Sequence, residues 1–319
     1  MNITIHNYEL GEAEAWDEFC KTTHQGTFLH TRRFLSYHGG KFRDRSLVIR
    51  KDGAIVALLP AAEKPSDPEN VVSHPGATYG GLLHAGKVIG ENTIEALQSV
   101  ITHYRQLGYK RFIYKAVPAI YHQAPCDDDH YAMFRLGASR TRCDLSCAIN
   151  LANRLAVSSR RKRSLIKAKN AGVTVESGLH LMERVWGVLR ENLKTKHNAA
   201  PVHTLAEITL LSNIFPENIE VTCAMIEGEI VAGVVTFETP TCLHAQYIAS
   251  SERGYENSAL DLVFENLISN AARTKKQWFD FGISNENNGK ILNPGLFNFK
   301  CEFGGGGITH DFYEIDLEA

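Results

Sequence analysis

Long apolar runs are missing from this chain of 319 residues. The longest, such as "IVAGVVTF" at 230–237, fall far short of the roughly 20 residues a helix needs to cross a bilayer. The start, "MNITIHNYEL", lacks both a basic stretch and an apolar one, so no secretory signal is expected. Paired cysteines are missing too. The seven thiols, at 20, 126, 143, 147, 223, 242 and 301, are odd in number and contain no CxxC spacing. That argues against a disulfide frame or a zinc ribbon and for reduced thiols in a cytoplasmic chain. Charge imbalance is also absent. A net charge of -2 and a pI of about 6.7 give no whole-molecule attraction to nucleic acid or anionic lipid. Any phosphate-binding surface must be a local patch. With 44% hydrophobic and 22% charged residues the chain can bury a sizeable core, and its length suggests two domains or one large one.

What the chain does have is internal similarity. "GAIVALLPA" at 53–61 and "GEIVAGVVTF" at 228–237 are each a glycine turn opening a buried-looking strand. The preceding "RSLVIRKD" and "IEVTCAMIE" read as partner strands, so each pair is a hairpin. Further on, Ile94, Leu97, Val100, Ile101 and Tyr104 recur at helical spacing, as do Leu260, Val263, Phe264, Leu267 and Ile268. Each helix begins near an Asn or Ser cap and runs into a strand, "RFIYK" or "WFDFGI". One more strand, "ATYGGLL" or "LHAQYIA", lies between hairpin and helix. The first half has a longer loop, "EKPSDPENVV". Both halves thus read strand–strand–strand–helix–strand, and a boundary falls near 150. The basic "SSRRKRSLIKAKNAGV" opens the second half as a helix.

This order, preceded by a helix, resembles the GNAT N-acyltransferase fold. The tandem pair resembles the FemAB/FemX-like transferases and their BioF2-like acetyltransferase relatives. "TFLHTRRFLSYHGGKFRDRSLVI" looks like the family's opening strand and helix. "RRKRSLIKAKNAGVTVE" is similar to the helix that begins its second half, and "NPGLFNFKCEFGG" to its closing motif. The resemblance implies an α/β fold of two tandem GNAT-like domains, 1–150 and 151–319, each a mixed sheet flanked by helices. It also implies that the strand near 310–317 returns to the first domain. The implied reaction moves an acyl or aminoacyl group from acyl-CoA or aminoacyl-tRNA to an amine. The acceptor is then an amino sugar or a cell-envelope or polysaccharide precursor, small or lipid-linked. The place of work is the cytoplasm or the inner membrane surface, with tRNA a partner in the second case and no metal. One departure stands out. GNAT halves carry a glycine-rich loop whose bare N–H groups cradle a pyrophosphate. The matching "RGYENSALD" keeps Arg253, Gly254 and Ala259 but lacks the middle glycine.

The candidate residues follow. Lys300 stands among Phe297, Phe299 and Phe303, ahead of four consecutive glycines, 304 to 307. A lysine in that frame is either partly desolvated or reaches past the rings to water. The resemblance assigns the Phe299-Lys300 lysine to a developing oxyanion. The glycines let backbone approach substrate closely or make a flexible turn. On "LHAQYIA", His244 and Gln246 share a face by the period of two and Tyr247 points oppositely. His244 is a base or a satisfied edge histidine. Asp280, an acid inside an aromatic strand, needs a partner: it orients Lys300, accepts a proton or makes a structural bond. His197 and His203 flank a loop in which Thr204 caps a helix with Glu207 as box partner. His74 and Tyr79 sit in the first half's matching strand, where relatives hold the acceptor, and Lys41, Arg43 and Lys115 are either phosphate contacts or surface charge. Arg163, with Arg160 and Lys167, makes a basic helix side that meets carrier phosphates or only solvent. Arg253, Asn293, Phe299, Gln246, Tyr247, Tyr79, His74, His203 and Arg163 are the expected substrate contacts, and Lys300, His244 and Asp280 the expected catalytic groups. The competing expectation is a non-catalytic module that binds tRNA or a nucleotide sugar.

Overall fold

Alternating and helically spaced apolar residues set the elements of the computed structural model, which describes residues 3–197 and 199–318. In chain order they begin β1 (Ile3–Asn7), α1 (Ala13–Thr22), α2 (Arg32–Leu35), β2 (Leu47–Lys51), β3 (Ala54–Leu59), β4 (Ala62–Lys64), β5 (Asp67–Val72) and β6 (Leu83–His84). They continue with α3 (Glu91–Gln106), β7 (Arg111–Lys115), α4 (Asp128–Arg135), β8 (Ser139–Asn150), α5 (Ser159–Asn170), β9 (Thr174–Ser177), α6 (Met182–His197) and α7 (Leu205–Ile214). Then come β10 (Ile219–Ile226), β11 (Glu229–Glu238), β12 (Cys242–Ser250), α8 (Glu252–Glu256), α9 (Ala259–Arg273), β13 (Trp278–Ile283), β14 (Asn285–Glu286), β15 (Ile291–Leu292), α10 (Pro294–Cys301) and β16 (Gly306–Asp316). Two compact units result. One comprises 1–144, 287–291 and 309–319, the other 145–286 and 292–308.

Both predicted hairpins form. The Asp52-Gly53 turn has φ of +51° and +81°, and Glu227-Gly228 has +54° and +81°. Two successive positive φ values match the twist of the flanking strands, and glycine reaches the second without strain. The turns join β2 to β3 and β10 to β11 in antiparallel register.

In the first unit β1, β2, β3 and β6 make one antiparallel sheet. A second, mixed sheet runs β4-β5-β7-β16, with β5 and β7 parallel and Phe312–Asp316 of β16 antiparallel to β7. The predicted face of α3 packs on this core: Leu97, Val100, Ile101 and Tyr104 are buried and Ile94 is half-buried. Four corrections apply. "EKPSDPENVV" is no plain loop, because Pro65-Ser66 turns the chain so that β4 pairs with β5. "ATYGGLL" is mostly irregular and supplies only the start of β6. There Gly80 lies against the Ser73 carbonyl, where an added Cβ would stand 2.1 Å from the oxygen, and the Gly80 N–H bonds Lys115 O. The segment from Phe28 folds as a short 3₁₀ turn and α2; the opening strand and helix are β1 and α1, which precede it. Finally, α3 and α9 start at Gly90 and Ser258, both with positive φ and neither with a side-chain cap bond.

The second unit is a mixed sheet in the order β9-β10-β11-β12-β13-β8. Strands β12 and β13 are parallel; the other neighbours are antiparallel. One face carries α9, whose Leu260, Val263, Phe264, Leu267 and Ile268 are buried as their spacing predicts. Phe264 sits among Phe279, Phe281 and Phe303, with ring centroids 6.3, 4.9 and 5.4 Å away. Full burial of each such ring stabilises the unit by roughly 1.5–3 kcal/mol. The opposite face carries α6, and Thr204 caps α7 with Glu207 as its box partner, as expected.

Candidate active site

In the second unit β12 and β13 pair only along Cys242–His244 and Trp278–Asp280. Beyond His244 and Asp280 the two strands part. Two irregularities cause this. On β12, Thr236 faces Ala245 while Val235 faces Tyr247, so Gln246 is an extra, bulged residue. On β13 the register with β8 shifts between Asp280 and Ile283, and Gly282 between them has φ of +78°. A bulge also resets alternation. Tyr247 therefore falls on the face of His244, and not on the opposite one as strict alternation predicts. The contacts agree: Tyr247 packs its ring 4.9 Å from Trp186 of α6, while Leu243 and Ala245 join the α9 core.

At the parting point three side chains converge. Asp280 is 0% exposed, so its charge survives only with donors around it. His244 Nδ1 lies 2.8 Å from its Oδ2, Ser146 Oγ donates to its Oδ1, and the Gly282 N–H donates to the same oxygen at 3.0 Å. A carboxylate facing Nδ1 fixes the proton there and leaves Nε2 as the basic nitrogen. Ser146 was not singled out in the sequence. It stands 134 residues from Asp280, and only the β8–β13 pairing brings them together.

Lys300 comes from α10. Asn293 caps that helix, accepting from the Leu296 N–H at 3.0 Å, and Pro294 opens it with its φ already helical. Lys300 is 3% exposed and does not reach past the phenylalanines to water. Its Nζ donates to Gly282 O at 2.8 Å and Ile283 O at 2.7 Å, the two carbonyls at the bend where β13 leaves β12. Burial pulls its pKa down to about 8, against the pull of nearby Asp280.

Of the glycines after Lys300, Gly304 and Gly305 serve packing. A Cβ on Gly304 would stand 2.4 Å from Leu155 O, and one on Gly305 would stand 2.8 Å from Cys147 Sγ and 2.9 Å from Ala148 O. Gly304 also has φ of +94°. Gly304→Ala is therefore expected to destabilise the protein by about 1–3 kcal/mol, read as a lowered thermal midpoint. Gly306→Ala, with open space around it, should fall within about 0.5 kcal/mol of the parent.

The remaining candidates scatter. His203 and Tyr247 do meet: His203 Nδ1 bonds the Tyr247 hydroxyl, and the His203 N–H lies 3.3 Å from it. Burial pushes the Tyr247 phenol up to about 12. The His197 side chain lies outside the described residues. Phe299 packs 4.8 Å from the Arg161 guanidinium. Of the basic helix, Arg161 turns inward to Asp261 at 2.5 Å and Glu302 at 2.9 Å, whereas Arg163 and Lys167 are exposed. His74 and Tyr79 are buried in the first unit, Tyr79 with its hydroxyl 3.4 Å from Thr27 Oγ1. Lys115 is buried there as well, its Nζ donating to the His74 and Ala77 carbonyls.

The stretch in the phosphate-loop position is helix α8. The N–H groups of Gly254, Tyr255, Asn257 and Ser258 are bonded within the segment. Arg253 pairs with Glu227 and Glu229 at 2.5 and 2.8 Å. A cavity of about 450 Å³ at this place is lined by Glu191, Asn192, Glu252, Tyr255 and Glu256, and among the described residues no lysine or arginine lines it. The segment thus offers a coenzyme A diphosphate fewer free N–H groups than a glycine-rich loop would, beside glutamates instead of cations. Among the described residues no group of three or more His, Cys, Asp or Glu side chains is placed to hold a metal, and no helix is long and apolar enough to cross a membrane.

Comparison with known proteins accords with this architecture. Residues 152–290 match the family model described as an acetyltransferase (GNAT) domain. Among solved structures, FemX superposes with a TM-score of 0.69 at 10% identity, covering 98% of this chain and 97% of that one. A lysylphosphatidylglycerol synthetase, L-PGS from Bacillus licheniformis, gives 0.63 at 13% identity over 96% and 91%. A tandem GNAT protein from the clavulanic acid biosynthesis pathway gives 0.55 at 9% identity over 99% of both. At such identities these likenesses speak for the fold. No curated protein sequence matches. The domain match favours an enzyme over a non-catalytic binding module. Residues 152–290 thus match a GNAT acetyltransferase domain, and the chain as a whole has the tandem, FemX-like fold.

Proposed function

We propose that the chain transfers an acyl or aminoacyl group from an activated carrier to an amine, with the reacting carbonyl seated where β12 and β13 part. The observation that carries this reading is the His244–Asp280 hydrogen bond at that point. The β12 edge that β13 leaves beyond His244 offers backbone groups to a substrate. His244 Nε2 takes the proton that the attacking amine must lose. The nitrogen bonds to the carbonyl carbon, the carbon–carrier bond breaks, and the proton passes from the imidazolium to the leaving atom. Asp280, held by Ser146 and Gly282, keeps the imidazole in the required tautomer. Lys300 fixes the Gly282–Ile283 bend and places positive charge beside the site. His203 and Tyr247, on the His244 face, are the proposed contacts of the substrate.

The acceptor we propose is an amino sugar or a cell-envelope precursor. Fold likeness to FemX and to a lysylphosphatidylglycerol synthetase supports that class, and a lipid-linked member of it would place the work at the inner membrane surface. The donor is an acyl-CoA or an aminoacyl-tRNA. The test is to incubate purified protein with acetyl-CoA or with aminoacyl-tRNA, each against amino-sugar nucleotides and lipid-linked amines, and to measure product by mass. We expect turnover with one donor class. Tight binding of several donors with no product from any of them would overturn the reading.

A further inference from the structure

Two thiols of the second unit face each other, and the transfer chemistry uses neither. Cys147 lies on β8 and Cys301 in the last turn of α10, with their sulfurs 3.3 Å apart. Both are free, Cys147 buried and Cys301 half-buried. A disulfide needs about 2.05 Å between sulfurs, so a closure of little more than 1 Å joins them. Gly305 backs the Cys147 sulfur so closely that a Cβ there would stand 2.8 Å away. Cys147 therefore has little room on that side, and the closing movement falls to α10.

We propose that Cys147 and Cys301 form a peroxide-oxidisable modification site whose disulfide ties α10 to β8. In the first step the Cys301 thiol gives two electrons to a hydroperoxide, becoming a sulfenic acid and releasing water or an alcohol. In the second the Cys147 sulfur attacks the sulfenic sulfur. The S–S bond forms, the S–O bond breaks, and the Cys147 proton leaves with the hydroxyl as water. Cys301 reacts first because it is the more exposed, while burial pushes the Cys147 thiol up and leaves it to resolve the sulfenic acid. The consequence reaches the site through the chain itself. Cys301 follows Lys300, so drawing its sulfur toward β8 shifts the ammonium that holds Gly282 O and Ile283 O. A misplacement of about 1 Å at a reacting centre costs on the order of 10² in rate.

The test treats reduced, full-length protein with a few equivalents of hydrogen peroxide and measures intact mass, followed by peptide mapping. The expected result is a loss of two hydrogens, about 2 Da, mapped to a Cys147–Cys301 link and reversed by dithiothreitol. Cys147→Ser and Cys301→Ser each should lack the link. This arm rests on the proposed transfer: with a donor and acceptor that the assay above identifies, oxidised parent should transfer about tenfold more slowly or worse, while peroxide-treated Cys147→Ser and Cys301→Ser keep their rate. Thiols that stay free, or a Cys301 that stops at the sulfenic or sulfinic acid with Cys147 intact, overturn the site. A mapped link with undiminished transfer overturns its hold on the reaction. The mass readout decides the first question even if no transfer is ever detected.

Discussion

His244→Asn should lower kcat/KM for acyl transfer by about 10²–10⁴, the usual worth of a positioned general base. Asparagine is the informative replacement because its amide N–H can still donate to Asp280, which is 0% exposed and needs its donors. Folding should therefore be little changed, and the loss falls on proton transfer alone. The pattern of loss follows from the chemistry. An amine that arrives unprotonated still has to shed a proton after attack, so kcat falls along with kcat/KM, and the acceptor KM stays near its parent value. The deficit should shrink at high pH, where hydroxide accepts the proton. Initial rates across pH, with the donor saturating, measure all of this. A variant within about threefold of the parent at neutral pH would remove His244 from the reaction. Asp280→Asn should fail for a different reason. An amide in that place turns one N–H toward the Ser146 hydroxyl, the Gly282 N–H or His244, and so loses stability as well as rate.

The difference between these two residues also shows what the sequence reveals. Hairpins and helix faces were legible because local chemistry dictates them. Asp52-Gly53 and Glu227-Gly228 can turn tightly, and the apolar stripe from Leu260 to Ile268 has one face to bury. His244, Asp280 and Lys300 were legible as chemically unusual residues in apolar strands or aromatic frames. Their partners were not. Strict alternation puts Tyr247 on the wrong face because nothing in "LHAQYIA" announces that Gln246 is bulged. Ser146 is one serine on a strand, important only because β8 pairs with β13. The glycines after Lys300 read equally as a close approach to substrate or a flexible turn, yet at Gly304 and Gly305 the demand comes from Leu155, Ala148 and Cys147, far away in sequence. In the first unit, "ATYGGLL" carries β-type residues, but the close contact of Gly80 with Ser73 and its bond to Lys115 O override that propensity.

Lys300→Met should separate the charge of that side chain from its bulk. Transfer is expected to fall by about 10²–10³ at neutral pH, the cost of losing one well-placed donor or cation at a developing oxyanion. The stability readout is independent of any substrate. Folded Lys300 has its pKa pulled from 10.5 to about 8 by burial. Below about pH 8 the lysine is protonated in both states, and the full cost of burying the cation is present. Between about pH 8 and 10.5 the unfolded chain holds a proton that the folded protein has released, so this group adds stability as pH rises. The gap between 10.5 and about 8, at about 1.4 kcal/mol per pH unit, amounts to about 3 kcal/mol. The stability of the parent relative to Lys300→Met should thus increase by about 3 kcal/mol from pH 7 to 10.5, measured by urea unfolding at each pH. Titrating groups that do not interact with Lys300, Lys115 among them with its pKa pulled to about 7, are common to both proteins and cancel in the difference, whereas Asp280, Cys147 and Cys301 feel the lysine and belong to the effect measured. Activity should move the other way: as Lys300 loses its proton above about pH 8 the parent loses the cation proposed to serve the reaction, while the methionine variant should show no such limb. A flat stability difference together with unchanged transfer would mean that the lysine bears no buried charge and that the Gly282–Ile283 bend stands without it.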